Sequence, residues 1–361
     1  VQSAGFSLLE LLVAMVVFLI VAGAAFTLVR QHMPLFNSQQ QQAGLNIATR
    51  NVIAQMQIDV VNAGTGFYQG INIATWPIGV TILNNPLPPG TDCRTATTVN
   101  GTTTYTYGAN CFDQLNVIAI DPTTPPAHPD APAADVANSS ILAIVPTGTT
   151  TLSDLASHYK TGDEVLVVSA TGDQMTTTIL TKGGQVTGGD VHLQHNPTGA
   201  DGSNCQTTIF CSADPLGISS SGNNKLGFDF DTGAWVLKLA PISYWVDTTD
   251  PTNPKLMRTA LNPATGKVES VVMAEQVIGF KVGVALRDTS PGVYLFKACN
   301  DLTACDYRDF SSVRSVLISL IVRTPPGADS ASTYRNSFDH GPYRIQATSV
   351  VINPRNLMFQ P

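Results

Sequence analysis

The sequence predicts an α+β fold in which a long amino-terminal α-helix packs on an antiparallel β-sheet that carries β-rich insertions. Three observations support this. An apolar stretch followed by helical periodicity runs from Phe6 to about Asn62 and stops at Ala63-Gly64. Beyond Gly64 the period falls to two, in short apolar runs broken by Gly, Asn, Asp and Pro. The six cysteines lie in three sequence-local pairs, a usage that suits an oxidising compartment. At 361 residues the chain can bury one large core or two modest ones. Charged residues make up 12% of it, with a net charge of −7 and no basic run that could track a phosphate backbone, so no specific nucleic-acid partner is predicted.

The helix begins with FSLLELLVAMVVFLIVAGAAFTLV, Phe6 to Val29. At ~1.5 Å rise per residue this stretch crosses a ~30 Å hydrocarbon core. Glu10 stands among Leu8, Leu9, Leu11 and Leu12. An ionised carboxylate there costs about 2.5–3.5 kcal/mol unless it is partnered. The small residues Ser3, Ala4 and Gly5 precede the apolar stretch, the reverse of a cleavable secretory signal. After Arg30 the chain becomes amphipathic, with Leu45, Ala48, Val52, Met56 and Val60 on one face and Ser38–Gln42 as solvated helix surface. Pro34 is expected to interrupt and kink the helix.

Gly5-Phe6-Ser7-Leu8-Leu9-Glu10-Leu11-Leu12-Val13-Ala14 resembles the class III signal of type IV prepilins and type II secretion pseudopilins. The resemblance implies that a prepilin peptidase cuts after Gly5 and that Phe6 becomes the N-methylated amino terminus. Glu10 is then the fifth mature residue. Residues 1–5 are the end of a leader, 6–62 a transmembrane and assembly helix, and 63–361 a periplasmic or extracellular β-rich domain. In lipid, the carboxylate of Glu10 can be neutralised by the amine of a neighbouring subunit's Phe6, which would set the docking register.

In the β-rich part, the proline-rich run 121–140 is expected to be an exposed loop or linker. Strand signals at Ile141–Val145, Glu164–Ser169, Met175–Leu180 and Val191–Gln194 predict a β-insertion over 141–200. Proximity pairs Cys93 with Cys111, Cys205 with Cys211, and Cys299 with Cys305, although six cysteines admit other connectivities. In Val313–Arg323, Val316, Ile318, Leu320 and Val322 share a face that should cover the helix. The segments Ile242–Asp247, Leu256–Arg258 and Ala274–Gly283, with the ending Tyr343-Arg344-Ile345 to Pro354-Arg355-Asn356-Leu357, resemble PilW-like minor pilins and, more distantly, J-type pseudopilins. This implies a pilin-like fold.

Chemistry is sparse. No G-x-S-x-G, H-E-x-x-H, P-loop or EF-hand pattern occurs, so no catalytic or metal residue is assigned. The glycines Gly64, Gly66 and Gly70 follow a helix, and Gln69 replaces the third glycine of a dinucleotide loop, so they read as a turn. His192 and His195 fall on opposite faces of a strand and read as surface residues. The acidic loops Asp247–Asp250 and Asp301–Asp309 offer oxygen ligands of the kind calcium takes, but solvated turn carboxylates and no cofactor are expected. Tyr105, Tyr107 and Tyr294 are candidate exposed contacts. The resemblance implies a non-enzymatic structural subunit, a minor pilin acting in pilus initiation, tip assembly, adhesion, motility or DNA uptake. Its partners would be other pilins, the prepilin peptidase, an inner-membrane assembly platform and, before assembly, the membrane. The alternatives are a J-type pseudopilin of type II secretion and a membrane-tethered periplasmic enzyme or binding protein.

Overall fold

The computed structural model describes residues 7–64, 79–83, 92–99, 102–133, 140–144, 150–171, 175–195, 226, 229–262, 267–287, 294–297, 313–325 and 335–355. Helix α1 (Leu8–Val61) passes position 34 without a break, so the expected interruption at Pro34 does not occur. A proline removes one backbone hydrogen bond, and the bonds on either side suffice to carry the helix through. Asn62 is the C-cap, and Gly64 (φ 70°) turns the chain out of the helix. The Gly64 N–H donates to Ile118 O at 2.8 Å, and Ile118 N–H donates to Gly79 O at 2.8 Å. Gly79 (φ 98°) approaches so closely that a Cβ would lie 2.6 Å from Gly64 N, so this exit requires glycine at both positions.

Two sheets share the first core. One contains β1 (Val80–Leu83), β4 (Gln114–Ile120), β11 (Trp235–Asp247), β12 (Lys255–Asn262) and β13 (Lys267–Ala274) in that order. Between β1 and β4 lies a hairpin, β2 (Arg94–Val99) with β3 (Thr102–Tyr107). The other sheet has the order β15 (Tyr294–Lys297), β14 (Val277–Arg287), β16 (Val313–Arg323), β17 (Ile345–Ile352), all antiparallel. Val52, Met56 and Val60 of α1 are fully buried among Leu115, Tyr244, Val316, Ile318 and Leu320. The helical stripe and the alternating β16 face therefore meet, each burying side chains worth roughly 1.5–3 kcal/mol apiece. Asp113 fastens the two sheets together. Its N–H donates to Phe280 O at 3.0 Å, and its carboxylate accepts from Val282 N and Lys281 Nζ, each at 2.9 Å.

The second core lies around α2 (Leu152–His158), a short helix whose N-cap is Thr151. A sheet of β5 (His128–Pro129), β6 (Ser140–Ile144), β10 (Asp190–Gln194) and β9 (Gln185–Thr187) covers it. The strands β7 (Glu164–Val168) and β8 (Met175–Ile179) extend the first sheet, β7 by pairing with Trp235–Lys238 of β11 and β8 by pairing with β7. Strand β11 thus serves both cores, its first half with β7 and its second with β4 and β12.

Several expectations change. The run 121–133 is a packed strap, not an exposed linker: Ala127 and Ala133 are buried and bridge to Val236 and Phe230. Around its prolines, Asp121, Ala127 and Ala133 donate backbone N–H groups to Lys238, Val236 and Phe230, which composition does not reveal. The β-rich module draws core residues from Ala127 to Val236, beyond both ends of 141–200. His195 is fully buried and His192 half-buried, because β10 runs between β6 and β9 and is not a surface strand. Tyr107 is also buried, while Tyr105 is partly so; the Tyr294 side chain and the residues 301–309 lie outside the described residues. Asp247 and Asp250 accept hydrogen bonds from Thr249 and Thr252 in their own loops, as turn carboxylates.

Candidate assembly site

Residues Leu8–Arg30 of α1 pack on nothing among the described residues. Leu8–Arg30 is apolar and long enough to cross a membrane, and none of its window is buried. Leu8 is 82% exposed and Phe26 is 78% exposed. An uncovered apolar surface of this extent needs lipid or other subunits around it. The second half is docked on the sheets, so one helix joins an assembly element rigidly to a folded domain.

Ser7 and Glu10 form the tip of this element. Ser7 Oγ accepts from Glu10 N at 3.3 Å, while Ser7 N donates to Glu10 Oε2 at 3.0 Å, a reciprocal capping box. The carboxylate is thereby folded back over the helix amino terminus, where the macrodipole favours negative charge. Both groups are exposed. Ser7 was the functional partner missed in the sequence reading, although Ser7-Leu8-Leu9-Glu10 has the S-x-x-E spacing that signals it. Gly5 and Phe6 lie outside the described residues, as do Cys205, Cys211, Cys299 and Cys305. Cys93 and Cys111 form a disulfide with Cα atoms 5.1 Å apart, tying the β2–β3 hairpin to the start of β4.

Three polar anchors hold the docked end. Asp59 of α1 accepts from Arg258 Nε at 2.9 Å, from Gln55 Nε2 at 3.1 Å and from the Tyr244 hydroxyl. Burial, then the neighbouring Asp59 charge, pushes the Tyr244 phenol above its ordinary range. Arg323 closes the β13–β14 turn: its Nε donates to Gln276 Oε1 at 2.8 Å and its Nη2 to Thr252 O at 2.7 Å. Gln276 itself has φ 57°, and Asn253 Oδ1 accepts from its backbone N at 3.1 Å and from its Nε2 at 3.0 Å. The Arg323 guanidinium lies 4.8 Å from the centroid of the Tyr343 ring. Asp339 then accepts from the hydroxyls of Tyr107 and Tyr343, from Asn336 Nδ2 at 2.7 Å and from Gly341 N at 2.9 Å. These groups bind the helix, both sheets and the carboxy-terminal turn into one unit. They form a scaffold; among the described residues no group of three or more His, Cys, Asp or Glu side chains is placed to hold a metal ion.

Two family models match the chain at its two functional ends. The prokaryotic N-terminal methylation motif covers residues 2–26, which contain the Ser7–Glu10 cap and most of the uncovered helix. Type IV Pilus-assembly protein W covers residues 243–356, which contain Arg258, Arg323 and Asp339. Over residues 243–356 the chain is similar to that pilus-assembly family, and its amino terminus carries a prepilin-type motif. Both matched families are structural components of pili and not enzyme families. No curated protein matched the chain. The PilW-like segment begins inside β11, so the family resemblance covers the sheet that carries the helix while the second core lies upstream of it.

Proposed function

We propose that this protein is a minor subunit of a type IV pilus, held in the inner membrane by Leu8–Arg30 and then drawn into the filament through that helix. The observation that carries the reading is the uncovered helix half with Glu10 at its capped end, continuous with a half that is fixed to the domain. In this reading prepilin peptidase cuts after Gly5, Phe6 is methylated, and the new amine pairs with Glu10 of an adjacent subunit. Breaking the intrachain Ser7–Glu10 contact frees the already exposed carboxylate for that pairing. The second core adds bulk beside the sheet, and a helical array must accommodate every copy of the domain it carries. A bulky subunit fits best at the filament tip, where it acts in initiation, adhesion, motility or DNA uptake, with other pilins and the assembly platform as partners. Intact mass of the membrane-extracted protein tests the processing step. The expected species starts at Phe6 and carries one methyl group, and an unmodified chain retaining Gly5 contradicts the reading.

A further inference from the structure

Lys238, the fourth residue of β11 and paired with Val165 of β7, is 3% exposed. Its Nζ lies 2.7 Å from Asp163 Oδ2 and 3.9 Å from Asp121 Oδ2, and it donates to His158 O at 2.7 Å. Asp163 is wholly buried just before β7, and Lys160 N donates to its Oδ2 at 2.7 Å. Its other oxygen, Oδ1, and the buried Tyr159 hydroxyl have no hydrogen-bond partner among the described residues. One amine and two carboxylates, all largely buried, thus share one site. Such an arrangement is expensive to keep fully ionised.

The two carboxyls are shifted in opposite directions. Burial outweighs the pull of Lys238 and pushes Asp163 up, toward the neutral acid. Burial also opposes ionisation of Asp121, but hydrogen bonds from Thr123 and Thr124 and the Lys238 charge outweigh it and hold Asp121 down. Two acids separated in this way can act as a base and an electrophile.

We propose that Lys238 and Asp163 condense into an intramolecular amide. The Asp121 carboxylate takes a proton from the Lys238 ammonium, and the free amine attacks Cγ of protonated Asp163. The Nζ–Cγ bond forms and the Cγ–OH bond breaks. The hydroxyl leaves as water with the proton returned by Asp121, which then takes the second proton of the attacking nitrogen and ends as the neutral acid. No oxidant, reductant or cofactor enters. Contact between the reacting groups in the folded chain supplies the proximity such a step needs. The product replaces a buried ion pair with a neutral amide and covalently joins the start of β7 to β11. Strand β11 runs on into the PilW-like sheet, so the cross-link fastens the upstream module to the part that carries the helix.

Peptide mapping of the full chain, extracted in detergent, reduced and digested with trypsin, tests the proposal. Lys160, Lys182, Lys225 and Lys255 bound the relevant peptides. The expected product is a branched species, residues 161–182 joined to 226–255, uncleaved at Lys238 and one water lighter than its two parts. Linear 161–182 together with cleavage after Lys238 in the wild-type protein overturns the proposal. Lys238→Arg retains the positive charge and is expected to yield only the linear 161–182 peptide. Asp121→Asn is expected to leave most chains unlinked, and complete cross-linking in that variant overturns the assignment of Asp121 as the base.

Discussion

Arg258 of β12 places its Nε 2.9 Å from the carboxylate of Asp59 on α1, so the charge that fixes the assembly helix to the sheet is matched from the far side of the core. Asp59 is 8% exposed and also accepts from Tyr244 of β11. One carboxylate thus gathers the helix and two adjacent strands.

Removing Arg258 leaves that carboxylate buried with fewer donors. Arg258→Ala is expected to destabilise the domain by about 1.5–3 kcal/mol, the range for a hydrogen bond to a charged group. Tyr244→Phe should lose less, because Arg258 and Gln55 still satisfy Asp59. Denaturant midpoints at constant slope measure both. A smaller effect from Arg258→Ala than from Tyr244→Phe would contradict this account of the docking.

Gly341 is required by its neighbour and not by its backbone angle. A Cβ there would lie 2.3 Å from Cζ of Tyr343. Gly341→Ala must push the buried Tyr343 ring off Asp339 and away from Arg323, at about 1–3 kcal/mol, the usual range for overpacking. Thermal unfolding of the variant checks this, and Tyr343→Phe in the same background should recover little.

The Asp339 cluster sets a pH dependence. Burial alone would raise this carboxyl, but hydrogen bonds from Tyr107, Tyr343, Asn336 and the Gly341 N–H outweigh it and hold it below its ordinary value. Its contribution is therefore fully present above the unfolded value of about 3.9 and is lost as pH falls through the lower folded value. Asp113 has the opposite sign, since burial outweighs its bonds to Val282 and Lys281 and raises it. The melting temperature of the wild type should fall on acidification below about pH 4, and that fall should be shallower in Asp339→Asn.

The Cys93–Cys111 bridge closes a sequence separation of 18. Loops of that size gain about 3 kcal/mol from closure. The double variant Cys93→Ser, Cys111→Ser should lose roughly that much in denaturant unfolding, with the β2–β3 hairpin becoming the first region to exchange amide protons.

The helix and the β16 face were legible because period and burial coincide there: Val52, Met56 and Val60 face Val316, Ile318 and Leu320. The Glu10 motif was legible from its residues alone. What escaped was long-range polar pairing. Nothing near Asp59 in the chain announces Arg258, and nothing near Tyr107 announces Asp339. The strap 121–133 was misjudged because its composition is that of a loop, whereas its burial comes from bridges to Val236 and Phe230. Helix α2 is only seven residues long, too short for its periodicity to stand out. The Ser7 cap was readable, but the apolar stretch drew attention away from it.

The central claim is that Glu10 directs this helix into a filament. It is tested by quantifying Glu10→Val in sheared surface filaments relative to the same protein in the inner membrane. With membrane level and domain stability unchanged, incorporation should drop about tenfold or more, equivalent to ~1.4 kcal/mol or more of lost pairing. Filaments that contain the variant at the wild-type level would contradict the claim.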